Sequence, residues 1–156
     1  MRIAIIGGTG VYDPRILEDI REERVETPYG VAVLRIGKYK GEEVGFMPRH
    51  GEKHSVPPHK VNYRANIWAL KELGAERVMA TAAVGSVNPD MKAGDFVIVN
   101  DFLDFTKTRV YTFFDGGEMG VVHTDFTEPY CGEVMSVLVR AGRELAIPIH
   151  DGGVYA

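Results

Sequence analysis

The stretch RIAIIGGTG, residues 2–10, decides the fold class. A β-branched run that stops at two glycines predicts a buried strand followed by a tight loop. Glycine backbone N–H groups and the Thr9 hydroxyl can surround an anion, so the loop is interpreted either as a plain turn or as a phosphate cradle. It is not a dinucleotide-binding fingerprint, because Asp13 stands where the last glycine would be. No Gly-Lys-Ser/Thr sequence follows, which excludes a P-loop.

Strand and helix patterns alternate along the rest of the chain. Residues 31–36 and 44–47 predict a hairpin, and residues 15–23 predict a short helix. Apolar periodicity over 63–73, followed by Gly74, predicts an amphipathic helix that Asn62 could cap. Further patterns predict strands at 77–84 and 95–101, a helix at 135–146 and the start of another strand at 152–156. This order, without a linker or repeat, predicts one α/β domain spanning residues 1–156.

The composition restricts the partners and the compartment. The 156 residues are 45% hydrophobic and 26% charged, with a formal net charge of −4. No basic cluster indicates nucleic acid or an anionic membrane surface, and no apolar run is long enough to span a bilayer. The single Cys131 cannot form an internal disulfide, which favours a reducing compartment. We therefore expect a cytoplasmic protein whose partners are small molecules or copies of itself.

The most polar segment is RHGEKHSVPPHK, residues 49–60, which predicts a loop. His50 and His54 have the spacing of a helical metal pair, but the glycine and the prolines nearby make a helix unfavourable. The permanently charged Arg49 would repel a metal cation and attract phosphate or carboxylate. From the residues alone, three interpretations stay open: a solvated loop, an anion site and a metal site.

Other polar positions give weaker signals. Ser86 follows a strand, but residues 85–89 read GSVNP and lack the pattern of a nucleophile elbow. His123, Thr124 and Asp125 could do acid/base work, although three polar residues before Pro129 more often form a loop. Cys131 has no cationic neighbours in sequence, which favours a buried or structural thiol over a nucleophile.

Taken together, several blocks of the sequence resemble the methylthioadenosine/methylthioinosine phosphorylase branch of the purine nucleoside phosphorylases. The blocks are IIGGTG (5–10), TPYG (27–30), RHGEKHSVPPHKVNYRANIWALKELG (49–74), AVGS (83–86), GDFVIVNDFLDFT (94–106) and HTDFTEPYC (123–131). The resemblance runs along the whole chain but covers only the N-terminal part of the family pattern. It implies a three-layer phosphorylase-type α/β fold, with a twisted mixed central sheet flanked by helices and the C-terminal part missing.

The resemblance also implies an activity and a site. The activity is phosphorolysis of a purine nucleoside, most directly 5′-methylthioadenosine or 5′-methylthioinosine, to free purine and a ribose 1-phosphate in purine salvage. Thr9, Arg49 and His50 match the family's phosphate-binding positions, and so does the backbone at Ala82 and Ala83. Adenosine-type members carry a threonine where Ala82 stands, which leaves a main-chain contact there.

Two histidines match positions near the sugar in the family. His54 corresponds to a residue beside the ribose, and His123 to a residue that reaches the 5′ pocket of a neighbouring subunit. No side chain need act as a nucleophile, inorganic phosphate is the co-substrate, and neither a metal nor an organic cofactor is expected. The family is commonly trimeric, with some hexamers, so self-association is expected.

Alternatives to this activity stay open. A general 6-oxopurine nucleoside phosphorylase has the same pattern in these blocks, since the family residues that select the base lie beyond Ala156. The chain could also be a non-catalytic fragment, or require a second chain that carries the C-terminal part. A general nucleotide-binding α/β module is the remaining hypothesis, and it rests on fold analogy alone.

Overall fold

A computed structural model describes residues 1–8, 15–51 and 54–156, except for the side chain of Met119. These residues form two compact units, which are described separately. The first unit contains Met1–Val84 and Thr108–Phe113, and the second contains Gly85–Lys107 and Phe114–Ala156. The prediction of one domain over 1–156 therefore stays a prediction.

The first unit is built on a mixed five-stranded sheet. Its strands are β1 (Ile3–Gly7), β2 (Glu18–Thr27), β3 (Gly30–Tyr39), β4 (Glu42–Pro48) and β5 (Arg77–Ala80), in the spatial order β2-β3-β4-β1-β5. β1 is parallel to both of its neighbours, β4 and β5, whereas the other pairs are antiparallel. In β1 the side chains of Ala4 and Ile6 are buried on one face, whereas Ile3 is exposed and Ile5 is half-buried on the other.

The predicted helix at 15–23 is wrong. Most of this segment belongs to β2, which pairs with β3 from Glu18↔Lys38 to Thr27↔Gly30. Its Glu and Arg residues favour a helix locally, but the turn before Gly30, which has φ +115°, directs the chain into a hairpin. Pairing along a whole strand outweighs the weak local preference of exposed residues. The hairpin predicted from residues 31–36 and 44–47 is confirmed, with Arg35 of β3 opposite Phe46 of β4.

Helix α1 (Tyr63–Glu72) covers one face of the sheet, where it packs against β2 and β3. The predicted cap is confirmed: Asn62 Oδ1 accepts a hydrogen bond from the Ala65 N–H at 3.1 Å. Small residues on α1 let the helix approach the sheet closely, and Leu70 is buried between the helix and the sheet. The core consists of Ala4, Ile6, Ala32, Leu34, Ile36, Met47, Ala65, Ala69 and Leu70.

The second unit contains shorter elements. β6 (Phe96–Ile98) is parallel to β8 (Ile149–Asp151), and β7 (Asp101–Phe102) is parallel to β9 (Val154–Tyr155). Helix α2 (Gly132–Glu144) packs against β6 and β8. The predicted strand at 95–101 is thus divided between β6 and β7, and Cys131, which precedes α2, is exposed rather than buried.

The predicted α/β class with a mixed central sheet is confirmed. Two short 3-10 turns, Pro58–Lys60 and Gly117–Met119, complete the described elements. In the described part of the chain, neither helix has the length and apolar character needed to cross a bilayer.

Candidate functional site

Three parallel strands bring three loop residues to one edge of the first unit's sheet. Gly8 follows β1, Arg49 follows β4 and Thr81 follows β5. The Arg49 N–H donates to the Gly7 carbonyl at 3.1 Å, and the Thr81 N–H donates to the Ile6 carbonyl at 3.0 Å. In open α/β sheets, ligands bind outside the carboxyl ends of parallel strands, and this edge has that position.

Side chains and backbone interlock at this edge. The Gly8 N–H donates to Thr81 Oγ1 at 3.1 Å, while Arg49 Nη1 donates to the Thr81 carbonyl at 3.0 Å. A Cβ at Gly8 would overlap the Thr81 carbonyl oxygen and lie 2.7 Å from Arg49 Nη2. Gly8 is therefore required by close approach, because it lets the guanidinium lie against the loop backbone.

His50 fixes the guanidinium from the other side. Its side chain is buried, with 6% exposure. The Val56 carbonyl, which can only accept, lies 2.9 Å from Nδ1, so Nδ1 carries the proton. Nε2 is then free to accept from Arg49 Nε at 3.3 Å. The hydrogen-bond partners thus select the neutral Nδ1–H tautomer and orient the plane of the guanidinium. We call Gly8, Arg49, His50 and Thr81 the strand-end cluster.

A tight loop holds His50 in place. The Gly51 N–H donates to the Pro48 carbonyl at 2.9 Å, and the Val56 N–H donates to the His50 carbonyl at 2.9 Å. Gly51 has φ +73°, a conformation that glycine adopts without strain. The loop places the ring of the exposed His54 4.9 Å from the ring of His50, measured between centroids.

The electrostatics of the strand-end cluster favour an anion. Among the described residues, no ion pair includes Arg49, so its charge is not neutralised by a carboxylate. A guanidinium with a fixed plane is suited to bidentate binding of an oxyanion. A cleft of about 290 Å³ borders Arg49, and its wall also includes Arg35, Pro48, Val56, Lys60 and Asn66.

The structure brings some of the predicted site residues together and not others. Arg49, His50 and His54 are neighbours, as the sequence spacing indicated. Ala82 and Ala83 follow Thr81 and are exposed, whereas His123 is exposed in the second unit. Thr9 lies outside the described residues. No group of three His, Cys, Asp or Glu side chains within the described ranges is placed to hold a metal ion.

Thr81 was missed by the sequence analysis, and Gly8 was considered only as part of its loop. Thr81 contributes both its hydroxyl and its carbonyl to the cluster. The available signal was its position as a polar residue inside the apolar run at 77–84, where the strand ends. Gly8 was quoted for its freedom of conformation, but the structure shows that lack of space is what excludes a side chain there.

The fold and the cluster define an α/β protein in which the Arg49 guanidinium is held at the ends of parallel strands. Residues 2–156 match the family described as the phosphorylase superfamily. The chain therefore belongs to the phosphorylase superfamily.

Individual relatives agree with this family. The chain is 75% identical, over its full length, to a Moorella thermoacetica protein named "Probable 6-oxopurine nucleoside phosphorylase", and covers 60% of it. It is 49% identical over 99% of its length to an S-methyl-5′-thioadenosine phosphorylase from Thermofilum pendens, and covers 59% of that protein. The methylthioadenosine phosphorylase of Schistosoma mansoni, solved with adenine, superposes with a TM-score of 0.91 at 34% identity. That match covers 99% of this chain and 63% of the solved one. The chain thus spans about three-fifths of the length of these relatives.

Proposed function

We propose that the protein takes part in phosphorolysis of a purine nucleoside, with inorganic phosphate bound at the strand-end cluster. This proposal rests mainly on one observation: Gly8, Arg49 and Thr81 lie together at the ends of three parallel strands, in a chain of the phosphorylase superfamily. A phosphate dianion needs fixed donors, which the Arg49 guanidinium supplies. Thr9 and the backbone at Ala82 and Ala83 are proposed as further phosphate contacts.

In the proposed reaction, a phosphate oxygen attacks the anomeric carbon of the nucleoside. The bond between that carbon and the purine nitrogen breaks, and its electron pair leaves with the purine, which takes up a proton. The products are free purine and a ribose 1-phosphate. Phosphate is the nucleophile, so no protein side chain has to form a covalent bond, and neither a metal nor an organic cofactor is required. The bound dianion lies close to the cationic sugar of the transition state and stabilises it.

His50 and His54 are proposed to have different roles, His50 at the phosphate and His54 at the sugar. His50 keeps the guanidinium in plane through its 3.3 Å hydrogen bond to Arg49 Nε. His54, whose ring lies 4.9 Å from that of His50, is proposed to lie next to the ribose. His123 is proposed to contribute to the 5′ pocket of a neighbouring copy, and the family resemblance supports a homotrimer or hexamer as the proposed assembly. A second chain carrying the rest of the family fold is a further proposed partner, and the cytoplasm is the proposed compartment.

Two substrate classes follow from the relatives. The 75% identical relative is named for 6-oxopurine nucleosides, and the 49% identical one for S-methyl-5′-thioadenosine. The higher identity favours a 6-oxopurine nucleoside such as inosine as the first candidate. Methylthioadenosine and methylthioinosine, which the resemblance of the sequence blocks favoured, form the second.

The test is release of free purine, followed by chromatography, from inosine, methylthioinosine and methylthioadenosine, with and without phosphate. We expect release that requires phosphate, and Arg49→Ala should weaken phosphate binding about 10-fold or more, because hydrogen bonds to charged groups are strong. Arg24→Ala is the matched control, since Arg24 is exposed on β2 and interacts with Glu26. Phosphate affinity unchanged by Arg49→Ala would contradict the proposed site. Absence of turnover with all three nucleosides would favour the non-catalytic alternative.

A further inference from the structure

A second cleft in the first unit has a strongly basic wall. Its volume is about 300 Å³, within the lower range of small-ligand sites. Four of its described lining residues are basic, namely His59, Lys60, Arg64 and Arg109, and none of them is acidic. We call it the basic cleft. None of the four residues of the strand-end cluster lines it, although Lys60, Val61 and Asn62 line both this cleft and the one that borders Arg49.

Arg109 is held in the basic cleft with most of its donors available. Its guanidinium lies 5.8 Å above the ring centroid of Tyr63, and Nη1 donates to the Tyr63 hydroxyl at 3.3 Å. Tyr63 is itself fixed, because its hydroxyl donates to the Pro58 carbonyl at 3.3 Å. Within the described ranges this is the guanidinium's one hydrogen bond, and no carboxylate pairs with it. A guanidinium has five N–H donors, so most of them can bind a ligand.

The burial of Arg109 makes this arrangement informative. The side chain is half-buried, which removes part of its hydration. A partly desolvated charge without a counterion is unfavourable, whereas an anion in the cleft would restore the lost interactions. Exposed surface arginines carry no such penalty, since water solvates them.

The start of α1 adds positive potential to the basic cleft. Asn62 and Tyr63, the cap and first residue of α1, both line it, and the first turn contains no acidic residue. A helix N-terminus carries roughly half a unit of positive charge. Asn62 is held by two hydrogen bonds, from the Ala65 N–H to Oδ1 at 3.1 Å and from Nδ2 to the Tyr29 carbonyl at 2.6 Å. The cleft wall is therefore preorganised.

We propose that the basic cleft binds a phosphate dianion, either inorganic phosphate or the phosphate group of a small phosphomonoester. Arg109 is the principal ligand, because its planar donors match two phosphate oxygens. Lys60 and the N-terminus of α1 neutralise the second negative charge. A carboxylate has one charge and two oxygens, and so uses less of this wall than a phosphate group does.

The test is calorimetric titration of the Arg49→Ala variant at low ionic strength, first with inorganic phosphate and then with ribose 5-phosphate. The Arg49→Ala background removes the principal ligand of the strand-end cluster, so remaining binding reports on the basic cleft. We expect one site per chain in this background. Adding Arg109→Gln should weaken it about 10-fold or more, since charge-assisted hydrogen bonds are lost. Adding Lys71→Ala, which removes an exposed charge at the far end of α1, should leave it unchanged.

Each result decides between the alternatives. If both probes bind, inorganic phosphate alone is a sufficient ligand for the basic cleft. If only ribose 5-phosphate binds, the ligand is a phosphomonoester. The inference is overturned if Arg49→Ala binds neither probe, or if Arg109→Gln has no effect on the binding that remains. Lys60→Ala provides a second variant with an exposed side chain, in case Arg109→Gln impairs folding; because Lys60 lines both clefts, it is combined with Arg49→Ala, and its effect on the remaining binding is measured there. If wild-type phosphate binding and turnover are insensitive to Arg49→Ala, the proposed function fails while the basic cleft is still tested by Arg109→Gln.

Discussion

At the scale of single residues, Gly8 shows how a missing side chain positions a charged one. The Arg49 guanidinium occupies space that a Cβ at residue 8 would need. We expect Gly8→Ala to displace Arg49 or the Thr81 carbonyl and to lower the free energy of unfolding by roughly 1–3 kcal/mol. Chemical denaturation and phosphate titration are the measurements.

Gly85→Ala is the matched control for this change. Gly85 lies between β5 and β6, in the second unit, and also has φ outside the left-handed region, but a Cβ there would meet nothing within 4 Å. We expect near-normal stability and phosphate affinity for Gly85→Ala. Equal effects of the two substitutions would contradict the steric explanation.

Thr81 allows the roles of hydroxyl and backbone to be separated. Thr81→Val keeps the shape of the side chain but removes the oxygen that accepts the Gly8 N–H. We expect a loss of about 1 kcal/mol in stability, because the N–H loses its partner. Thr81→Ser retains that oxygen and should lose less. The carbonyl that binds Arg49 is present in both variants, so the difference between their urea midpoints reports on the hydroxyl contribution to stability. Identical midpoints would exclude a role for the hydroxyl.

At the scale of elements, α2 and β8 are in such close contact that a glycine is required inside the helix. A Cβ at Gly142 would lie 2.7 Å from Ile149 Cδ1 and 3.2 Å from Ile149 Cβ. Alanine would favour the helix by about 1 kcal/mol, but overpacking is unfavourable by roughly 1–3 kcal/mol. We therefore expect Gly142→Ala to reduce the stability of the second unit, measured by urea unfolding.

Two further variants test this balance between helix propensity and packing. Gly132→Ala lies at the start of the same helix, where a Cβ meets nothing within 4 Å, and should be neutral or slightly stabilising. Combining Gly142→Ala with Ile149→Ala should cost less than the sum of the two single changes, because the two sites are in direct contact. Strict additivity of the two changes would show that the contact with Ile149 is not the cause.

The elements also show which parts of the fold the sequence could predict. β1 and α1 were predicted because apolar periodicity and terminal glycine or asparagine signals coincide in them. β2 was not predicted, because the pattern of its exposed Glu and Arg residues is compatible with a helix. Only its pairing with β3 determines its structure. Arg49 and His50 were found from charge and spacing. Thr81 was not found from the sequence, because its role arises only when β1 and β4 bring Gly8 and Arg49 next to it.

At the scale of the whole molecule, several acidic groups stabilise the folded state at neutral pH and lose this effect in acid. Hydrogen bonds from Lys38, Arg21, Arg2, His150 and Thr127 hold the pKa values of five described carboxyl groups below their ordinary values: Asp19, Glu43, Glu76, Asp95 and Asp125. The unfolded chain therefore binds more protons than the folded chain in acid. The stabilisation is present above the ordinary carboxyl pKa of about 4 and is lost as the pH falls through the lower folded values.

We expect the urea midpoint to be nearly constant from neutral pH to about pH 5 and to decrease below about pH 4. Glu76→Gln should reduce this decrease, since it removes the pair with Arg2 at 2.9 Å. Glu22→Gln is the control, because Glu22 is exposed and makes no ion pair among the described residues. High salt should also weaken the effect, because the pairs of Lys38 with Asp19, Arg21 with Glu43 and Arg2 with Glu76 are exposed and screened. A midpoint that rises in acid would contradict the assignment.

The parallel pairing of β1 has a consequence for how the protein folds during synthesis. β1 leaves the ribosome first, yet its hydrogen-bond partners are residues 44–48 and 77–80. β2, β3 and β4 can pair as successive hairpins while they emerge, whereas β1 has to wait for β4 and is paired on both sides only after β5 has been made. Such non-local pairing is intrinsically slow. The ends of β1, β4 and β5 meet only once β5 has been made, so a nascent chain that lacks β5 has Arg49 without the Thr81 carbonyl that binds its guanidinium.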